Sequence, residues 1–360
     1  MKLKHLTLDF TLPMNFTKRL TSWYSKNKRD LPWRAHADPY SIWLSEIILQ
    51  QTRIEQGTPY YERFITNYPK VQDLANAHED EVLKLWQGLG YYSRARNLLK
   101  AANQVVDDFN GQFPDNYKDL LILKGVGPYT AAAIASISFQ EPVALVDGNV
   151  FRFLGRHFGV TAPIDTSAGK KVFHELAQEL MDHQNPGDFN QALMEFGATV
   201  CSPHNPNCED CPFRISCEAY KQDAVSQFPV RSTKVRVQQL HLAYFVICVN
   251  DHLFMTQRPA NGIWGGLFEF PGISSSQAIS DEELEKAAKN LRLPPLKRAE
   301  VSSPYKHVLT HRKITARFWR FNLENFSPSE VWIKVSIASG LQQLAVPRLI
   351  DRYLESRIFP

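Results

Sequence analysis

The sequence predicts a chain of two folded domains, a mainly α N-terminal domain followed by a smaller α+β one. Three observations carry this. At 360 residues the chain is long enough for two separate cores. Up to about residue 220 its apolar residues recur at helical spacing, as in Ile42, Leu49 and Ile54, Leu83 and Leu89, and Ile134, Ile137 and Phe139. Beyond about residue 236 the composition turns to β-branched and aromatic runs at His241 to Val249, Leu253 to Thr256 and Ile314 to Phe321, with a helical segment from Asp281 to Leu291 between them. The boundaries read as 13–220 for the first domain, 221–235 for a polar linker containing Pro229, and 236–360 for the second domain.

Composition narrows the class. With 44% hydrophobic and 22% charged residues the chain is neither disordered nor fibrous. It has no internal repeat. A net charge of +4 and a pI of about 8.7 permit contact with phosphates without requiring it. The N-terminus lacks the apolar core of a signal peptide. The longest apolar stretch, near Leu242 to Val249, falls far short of the ~20 residues a membrane span needs. The expectation is a soluble, intracellular protein with no membrane partner.

Within the helical part, Tyr117 to Lys124 reads as an apolar helix that ends in L-K-G-V-G-P-Y. Pro128 suits the first turn of the next helix, which runs through Ala131, Ala132 and Ala133. A helix, Gly125-Val126-Gly127, then a helix would point backbone N–H groups outward at a helix N-terminus, where they can hold a phosphate without reading sequence. An ordinary αα turn would use the same glycines for their backbone angles alone.

Two carboxylates stand out. Glu46, in S-I-W-L-S-E-I-I-L-Q-Q-T, would have Ile42, Trp43, Leu49 and Gln50 as its helical neighbours. A carboxyl on so apolar a face is costly when ionised, so its pKa should rise, which suits a general acid near neutral pH. A glutamate bonded to a helix terminus or an arginine would look the same. Asp147, in A-L-V-D-G-N-V-F-R, sits where an N-cap belongs. Capping leaves one carboxylate oxygen for a substrate. A pair of carboxylates is the usual equipment for cleaving a glycosidic bond, one protonating the leaving group and the other stabilising the cationic sugar. Spacing alone does not bring Glu46 and Asp147 together.

Four of the five cysteines, Cys201, Cys208, Cys211 and Cys217, share one short loop-rich segment with the spacing C-x6-C-x2-C-x5-C. So tight a group in an intracellular protein points to metal rather than disulfides. Tetrahedral zinc and an iron–sulfur cluster both remain open on spacing. Cys248, alone in an apolar run, reads as a small buried side chain.

Taken in order, the segments P-Y-S-I-W-L-S-E-I-I-L-Q-Q-T-R, L-W-Q-G-L-G-Y-Y-S-R-A-R-N-L, L-K-G-V-G-P-Y-T-A-A-A-I and V-D-G-N-V-F-R, followed by the four-cysteine loop, resemble the MutY-type adenine DNA glycosylases of the endonuclease III superfamily. The likeness spans nearly the whole chain. It implies a two-subdomain helix-hairpin-helix glycosylase fold, with a [4Fe–4S] cluster on Cys201, Cys208, Cys211 and Cys217. It implies Glu46 as the acid that protonates adenine and Asp147 as the group that stabilises the oxocarbenium ion, supported by Tyr129 and Asn149. Trp33, Arg34 and Gln191 match positions around the flipped base. Gln51 and Tyr91 match residues that wedge into the DNA stack, with Leu89 beside them, and Gly125 and Gly127 match the phosphate-holding hairpin. The implied partner is duplex DNA carrying adenine opposite 8-oxoguanine or guanine. A monomer in a bacterial cytoplasm, associated with the nucleoid, completes the expectation.

Position 129 separates relatives, because endonuclease III-like enzymes carry a Schiff-base lysine in this part of the hairpin and Tyr129 cannot form one. The second half, through G-I-W-G-G-L-F-E-F-P-G, resembles a Nudix domain. Counting on from Gly272 puts Ala278, Lys286, Ala287, Asn290 and Leu291 where that family's magnesium-binding helix carries mostly carboxylates, so diphosphate hydrolysis is not expected. The matching loop of the glycosylase family, usually F-S-H, reads 8-oxoguanine. Here it is Leu309-Thr310-His311, which keeps a hydroxyl at Thr310 and the imidazole at His311 but loses the aromatic ring.

Overall fold

Helices fill the first part of the chain because its apolar residues form stripes or whole faces that must be buried. A computed structural model of the protein describes residues 15–232, 237–259, 261–309, 311–328, 332–341 and 344–356. In chain order the helices are α1 (Phe16–Asn27), α2 (Pro39–Leu49), α3 (Ile54–Asn67), α4 (Val71–Ala75), α5 (Glu79–Leu85), α6 (Ser93–Asp108), α7 (Tyr117–Leu120), α8 (Pro128–Phe139), α9 (Gly148–Phe158), α10 (Ser167–Glu179), α11 (Pro186–Thr199) and α12 (Glu218–Lys221). Contacts divide the chain into two units: one holds the residues up to Asn76 and from Asn97 to the linker, the other Ala77–Arg96 and the chain beyond the linker.

In the first unit, α8 is buried at every position from Thr130 to Ile137 and α2 at most of its positions, so both are core helices. They pack on each other, and α11 packs against α1, α8 and α9. Close approach of α11 depends on Gly197, where a Cβ would lie 2.6 Å from the Asn149 carbonyl oxygen. The first helix of the expected hairpin is shorter than the sequence implies. α7 stops at Leu120, and Leu121 to Gly125 continue as turns closed by Ile122 N to Asp119 O and Val126 N to Leu123 O. Ile122 is 60% exposed, so no core holds it in helical register. Residues 221–232, read as a linker, are anchored on this unit. Ala224 and Phe228 bury with Ala219, Val230 O accepts from Ile164 N (3.0 Å), and Ser232 N donates to Asp165 (2.8 Å).

The second unit is a mixed sheet between helices. Its strands are β1 (Gln238–Val249), β2 (His252–Gln257), β3 (Phe268–Glu269), β4 (Gly272–Ser275), β5 (Glu300–Val301), β6 (Tyr305–Leu309), β7 (Arg312–Leu323) and β8 (Ile333–Ser336). The order runs β3-β2-β1-β7-β5, with β4 on β1, β6 on β7 and β8 on β2. β1 and β7 pair in parallel from Gln238 with Arg312 to Val249 with Leu323, and the other pairs are antiparallel. The run from Leu242 to Val249 is apolar without alternation because both faces of β1 are covered. Leu242, Tyr244, Val246 and Cys248 face Leu349, Ile350 and Tyr353 of a C-terminal helix (Arg348–Glu355), and Ala243, Phe245, Ile247 and Val249 face Leu284, Ala287 and Ala288 of a helix at Asp281–Asn290. The segment Ala77–Arg96 bonds within this unit through Arg96 Nη1 to Gly265 O (2.8 Å) and Gln87 Nε2 to Asp351 Oδ1 (3.3 Å). Among the described residues no helix is long and apolar enough to cross a membrane.

Candidate active site

One pocket of the first unit, of about 880 Å³, collects side chains from five segments far apart in sequence. Glu46 comes from the middle of α2, Tyr129 from the first turn of α8, and Asp147 and Asn149 from the N-terminus of α9. Trp33 and Arg34 come from the turn Pro32–Arg34, and Met194 and Glu195 from α11. The two carboxylates that spacing left unconnected therefore share one cavity.

Glu46 lines the open pocket, yet its carboxyl is surrounded by protein. Burial penalises its charged form, a hydrogen bond with Tyr129 favours it, Asp147 opposes it and Arg34 favours it; the balance pushes the pKa up from 4.5 to about 7. The Tyr129 hydroxyl also lies 3.1 Å from Met194 Sδ. It can donate to one acceptor at a time. A carboxylate at Glu46 is the stronger acceptor of the two, which is why the bond with Tyr129 favours the charged form. Tyr129 itself is held far above its ordinary pKa, first by burial and then by the charges of Glu46 and Asp147.

Asp147 caps α9. Its Oδ1 accepts from Asn149 N (2.9 Å) and Val150 N (2.8 Å), which leaves Oδ2 to accept from Asn149 Nδ2 (2.7 Å). Burial raises its pKa, and those bonds, with the charge of Arg152, act against the rise. Arg152 Nη2 in turn donates to Asn149 Oδ1 (2.8 Å) and to Gly197 O, and its Nε to Cys201 O (2.7 Å). The orientation of Asp147 is thus tied through Asn149 and Arg152 to the first cysteine of the loop.

Sequence reasoning did not single out Arg29, Arg152, Met194 or Glu195. Glu195 is 1% exposed and accepts from Arg29 Nε (2.6 Å), Arg29 Nη2 (3.0 Å) and Arg34 Nη2 (2.8 Å). A lone acid in the apolar run A-L-M-E-F-G carries the signal that marked Glu46. Arg29 carried none.

The other expected residues divide. Trp33 lines the pocket and is also a core aromatic, 6% exposed with its ring edge on Tyr61. Gln51 lies at the pocket, exposed and at φ 58°, a strained angle for a side chain of its kind. Gln191 does not reach the pocket wall. It stands one turn earlier on the stripe of α11 that carries Met194 and Glu195. Gly125 is required twice over, by φ +79° and by a Cβ position 2.8 Å from the Cβ of Asn97. Gly127 is the extended N-cap of α8, with open space around it and no side-chain cap on the helix. In the second unit Leu89 is buried, whereas Tyr91 is 44% exposed at φ 50°, with the Arg94 guanidinium 5.8 Å from its ring. His311 is exposed in the turn between β6 and β7, and Thr310 lies outside the described residues.

The four loop cysteines, none of them in a disulfide, line one cavity of about 400 Å³ together with Phe153, Phe196 and Phe213. Among the described residues no group of three His, Cys, Asp or Glu side chains is placed to hold a single metal ion. Four thiols facing one apolar cavity suit a soft group with several attachment points. Arg156 Nη1 reaches Cys201 Sγ (3.5 Å) and Ser202 O (2.7 Å), so a buried cation already stands beside the sulfurs.

Residues 44–180 match the family of HhH-GPD superfamily base excision DNA repair proteins, and residues 243–356 match the NUDIX domain. The chain is 34% identical to an adenine DNA glycosylase of Rattus norvegicus, over 90% of this chain and 74% of that one. It is 29% identical to an adenine DNA glycosylase of Buchnera aphidicola, over 94% of this chain and 98% of the other. Among solved structures, a thermostable thymine-DNA glycosylase aligns with a TM-score of 0.54 at 33% identity, covering 57% of this chain and 95% of that one. An endonuclease III–DNA complex shares the fold with a TM-score of 0.50 at 21% identity, covering 57% and 94%.

Proposed function

The chain belongs to the adenine DNA glycosylase family of HhH-GPD base excision repair proteins, a DNA glycosylase that hydrolyses N-glycosyl bonds, and we propose that it releases adenine mispaired with 8-oxoguanine or guanine from duplex DNA. The observation that carries the chemistry is the meeting of a high-pKa glutamate and a capped aspartate in one pocket of about 880 Å³. A base cannot be reached inside the duplex, so the adenine is flipped into the pocket. Glu46 holds a proton near neutral pH and delivers it to the purine ring, which turns adenine into a better leaving group. The positive charge then grows on the sugar. Asp147 Oδ2, held by Asn149, faces that charge and stabilises it until water adds at the sugar carbon. Products are free adenine and an abasic site.

Tyr129 keeps the acid in place and offers no amine. We infer a hydrolysis with no Schiff base at this position, and borohydride is expected to trap little or no enzyme on its DNA. The glycine hairpin at Gly125–Gly127 holds a backbone phosphate on the uncapped N-terminus of α8. Gln51 of the first unit and Tyr91 of the second, each exposed at positive φ, are each read as a residue that wedges into the DNA stack.

For the cofactor we infer a [4Fe–4S] cluster, which Cys201, Cys208, Cys211 and Cys217 would hold; four free thiols lining one cavity support it. When bound it supplies a fixed anchor for the loop and a one-electron redox centre. Arg156 supplies positive charge beside it, and Arg152 links the loop to Asn149. The second unit reads the base opposite the adenine, through the turn that includes His311. Supporting this over diphosphate hydrolysis, the template position at Ala287 packs into the core, while Glu283 caps its own helix at Ser280 and Glu285 accepts from Leu296 N. One assay tests the whole reading: base release from duplexes with adenine opposite 8-oxoguanine, adenine opposite guanine, thymine opposite guanine, and thymine glycol. Release of thymine in place of adenine overturns it.

A further inference from the structure

Three charged side chains share the pocket wall with Glu46 and Asp147 and have no part in the mechanism above. Glu195 accepts both side-chain bonds of Arg29, the bond of Arg34 Nη2, and the Arg29 backbone N–H (3.2 Å). Arg34 Nη1 also donates to Arg29 O (3.2 Å), and its guanidinium lies 5.8 Å from the Tyr24 ring. The Glu195 side chain is 1% exposed, Arg34 14% and Arg29 35%, so the acid is buried behind the two cations that line the cavity. Ion pairs of this depth are an expensive way to brace a fold, since apolar side chains of similar volume usually serve as well. Their effect on the pocket is specific. Two arginines and one carboxylate leave it a single positive charge, whereas the arginines alone would leave two beside Glu46 and favour its ionised form.

We propose that Glu195 is a positioning residue for the base-release step: it holds Arg29 and Arg34 on the pocket wall and offsets their charge, so that Glu46 keeps the proton it must donate. This rests on the reading of Glu46 as the acid. Tyr129 from α8, Asp147 ahead of α9 and Arg34 from the turn Pro32–Arg34 act on Glu46 directly; Arg29 and Glu195 line the same pocket and are bonded to Arg34. The direction agrees with the electrostatics at Glu46, where the charge of Arg34 works against the proton and burial works for it.

The test is single-turnover adenine release by the full chain at subsaturating DNA, from about pH 5.5 to about pH 8.5, where the profile reports the free enzyme. Glu195→Gln is expected to move the alkaline midpoint down by about one pH unit, a roughly tenfold loss at about pH 8 with little loss at about pH 5.5. Arg29→Gln should move it up. The double variant restores the single positive charge and should return the midpoint to that of the wild type. A ratio of variant to wild-type rate that is constant with pH, in Glu195→Gln and Arg29→Gln alike, would reduce Glu195 to a brace and overturn the proposal. If Glu195→Gln fails to fold by circular dichroism, Arg29→Gln and the double variant decide. Glu46→Gln is run beside them. Adenine release by that variant removes the acid itself, an outcome distinct from an unmoved midpoint.

Discussion

Replacing Glu46 with glutamine should make the protein more stable while abolishing base release, and the gain should depend on pH. The Glu46 carboxyl titrates near 7 instead of 4.5, chiefly because burial penalises its charged form. A folded-state pKa above the unfolded one contributes stability that is complete below about 4.5 and lost as pH rises through about 7. At about 1.4 kcal/mol per pH unit the gap corresponds to about 3–4 kcal/mol, and the open side of the pocket reduces that to about 2. Glutamine has the same shape and no charge to desolvate. Thermal melts should therefore coincide for wild type and Glu46→Gln near pH 4.5 and separate by about 4–8 °C near pH 8, with the variant higher. DNA binding should persist, since the substitution leaves the hairpin and the second unit untouched. The same temperature difference at both pH values would show that burial does not raise this carboxyl, and the case for a protonated acid at neutral pH would fall with it. Substantial adenine release by the variant would refute the role directly.

Other perturbations probe the rest of the site. Gly197→Ala places a methyl 2.6 Å from the Asn149 carbonyl, so it should cost about 2 kcal/mol through overpacking and turn Asn149 away from Asp147; urea denaturation and base release should both register it. Arg152→Met leaves the carbonyl oxygens of Cys201 and Gly197 and the side chain of Asn149 without their donor, with an expected loss of about 2 kcal/mol or more. Its base release should fall further than its DNA affinity, measured by gel shift. Cys211→Ser should lower iron and acid-labile sulfide per chain, assayed chemically, and remove visible absorption; a wild-type protein carrying one zinc and no iron would decide for the other metal. Raising salt from about 50 to about 200 mM should weaken DNA binding by orders of magnitude, because phosphate contacts release counterions, and an affinity indifferent to salt would speak against the hairpin as a phosphate holder.

The sequence by itself determined a good deal. Helical and strand periods separate the two parts of the chain. The run from Leu242 to Val249 is apolar throughout because sheet and helices cover both faces of β1, a property of composition that survives without coordinates. Glu46 was legible because a carboxylate among Ile42, Trp43 and Leu49 has no cheap place to go, Asp147 because a cap needs an oxygen at that position, and the four cysteines because of their crowding. Tertiary structure alone decided which of these meet. Glu46 and Asp147 converge because α2 packs on α8 and α11 comes close enough to α9 through Gly197, contacts between segments that no local pattern encodes. For the same reason Arg29 and Arg34 acquire meaning only when α11 delivers Glu195 to them, and Gln191, on the right stripe, stops one turn short of the pocket. The hairpin shows the reverse case: residues 121–124 read as helix, but with no core beneath Ile122 the chain takes turns instead. Local chemistry sets what each side chain can do, and packing over long sequence distances sets which partners it has, because burial energy depends on surfaces brought together and not on their order along the chain.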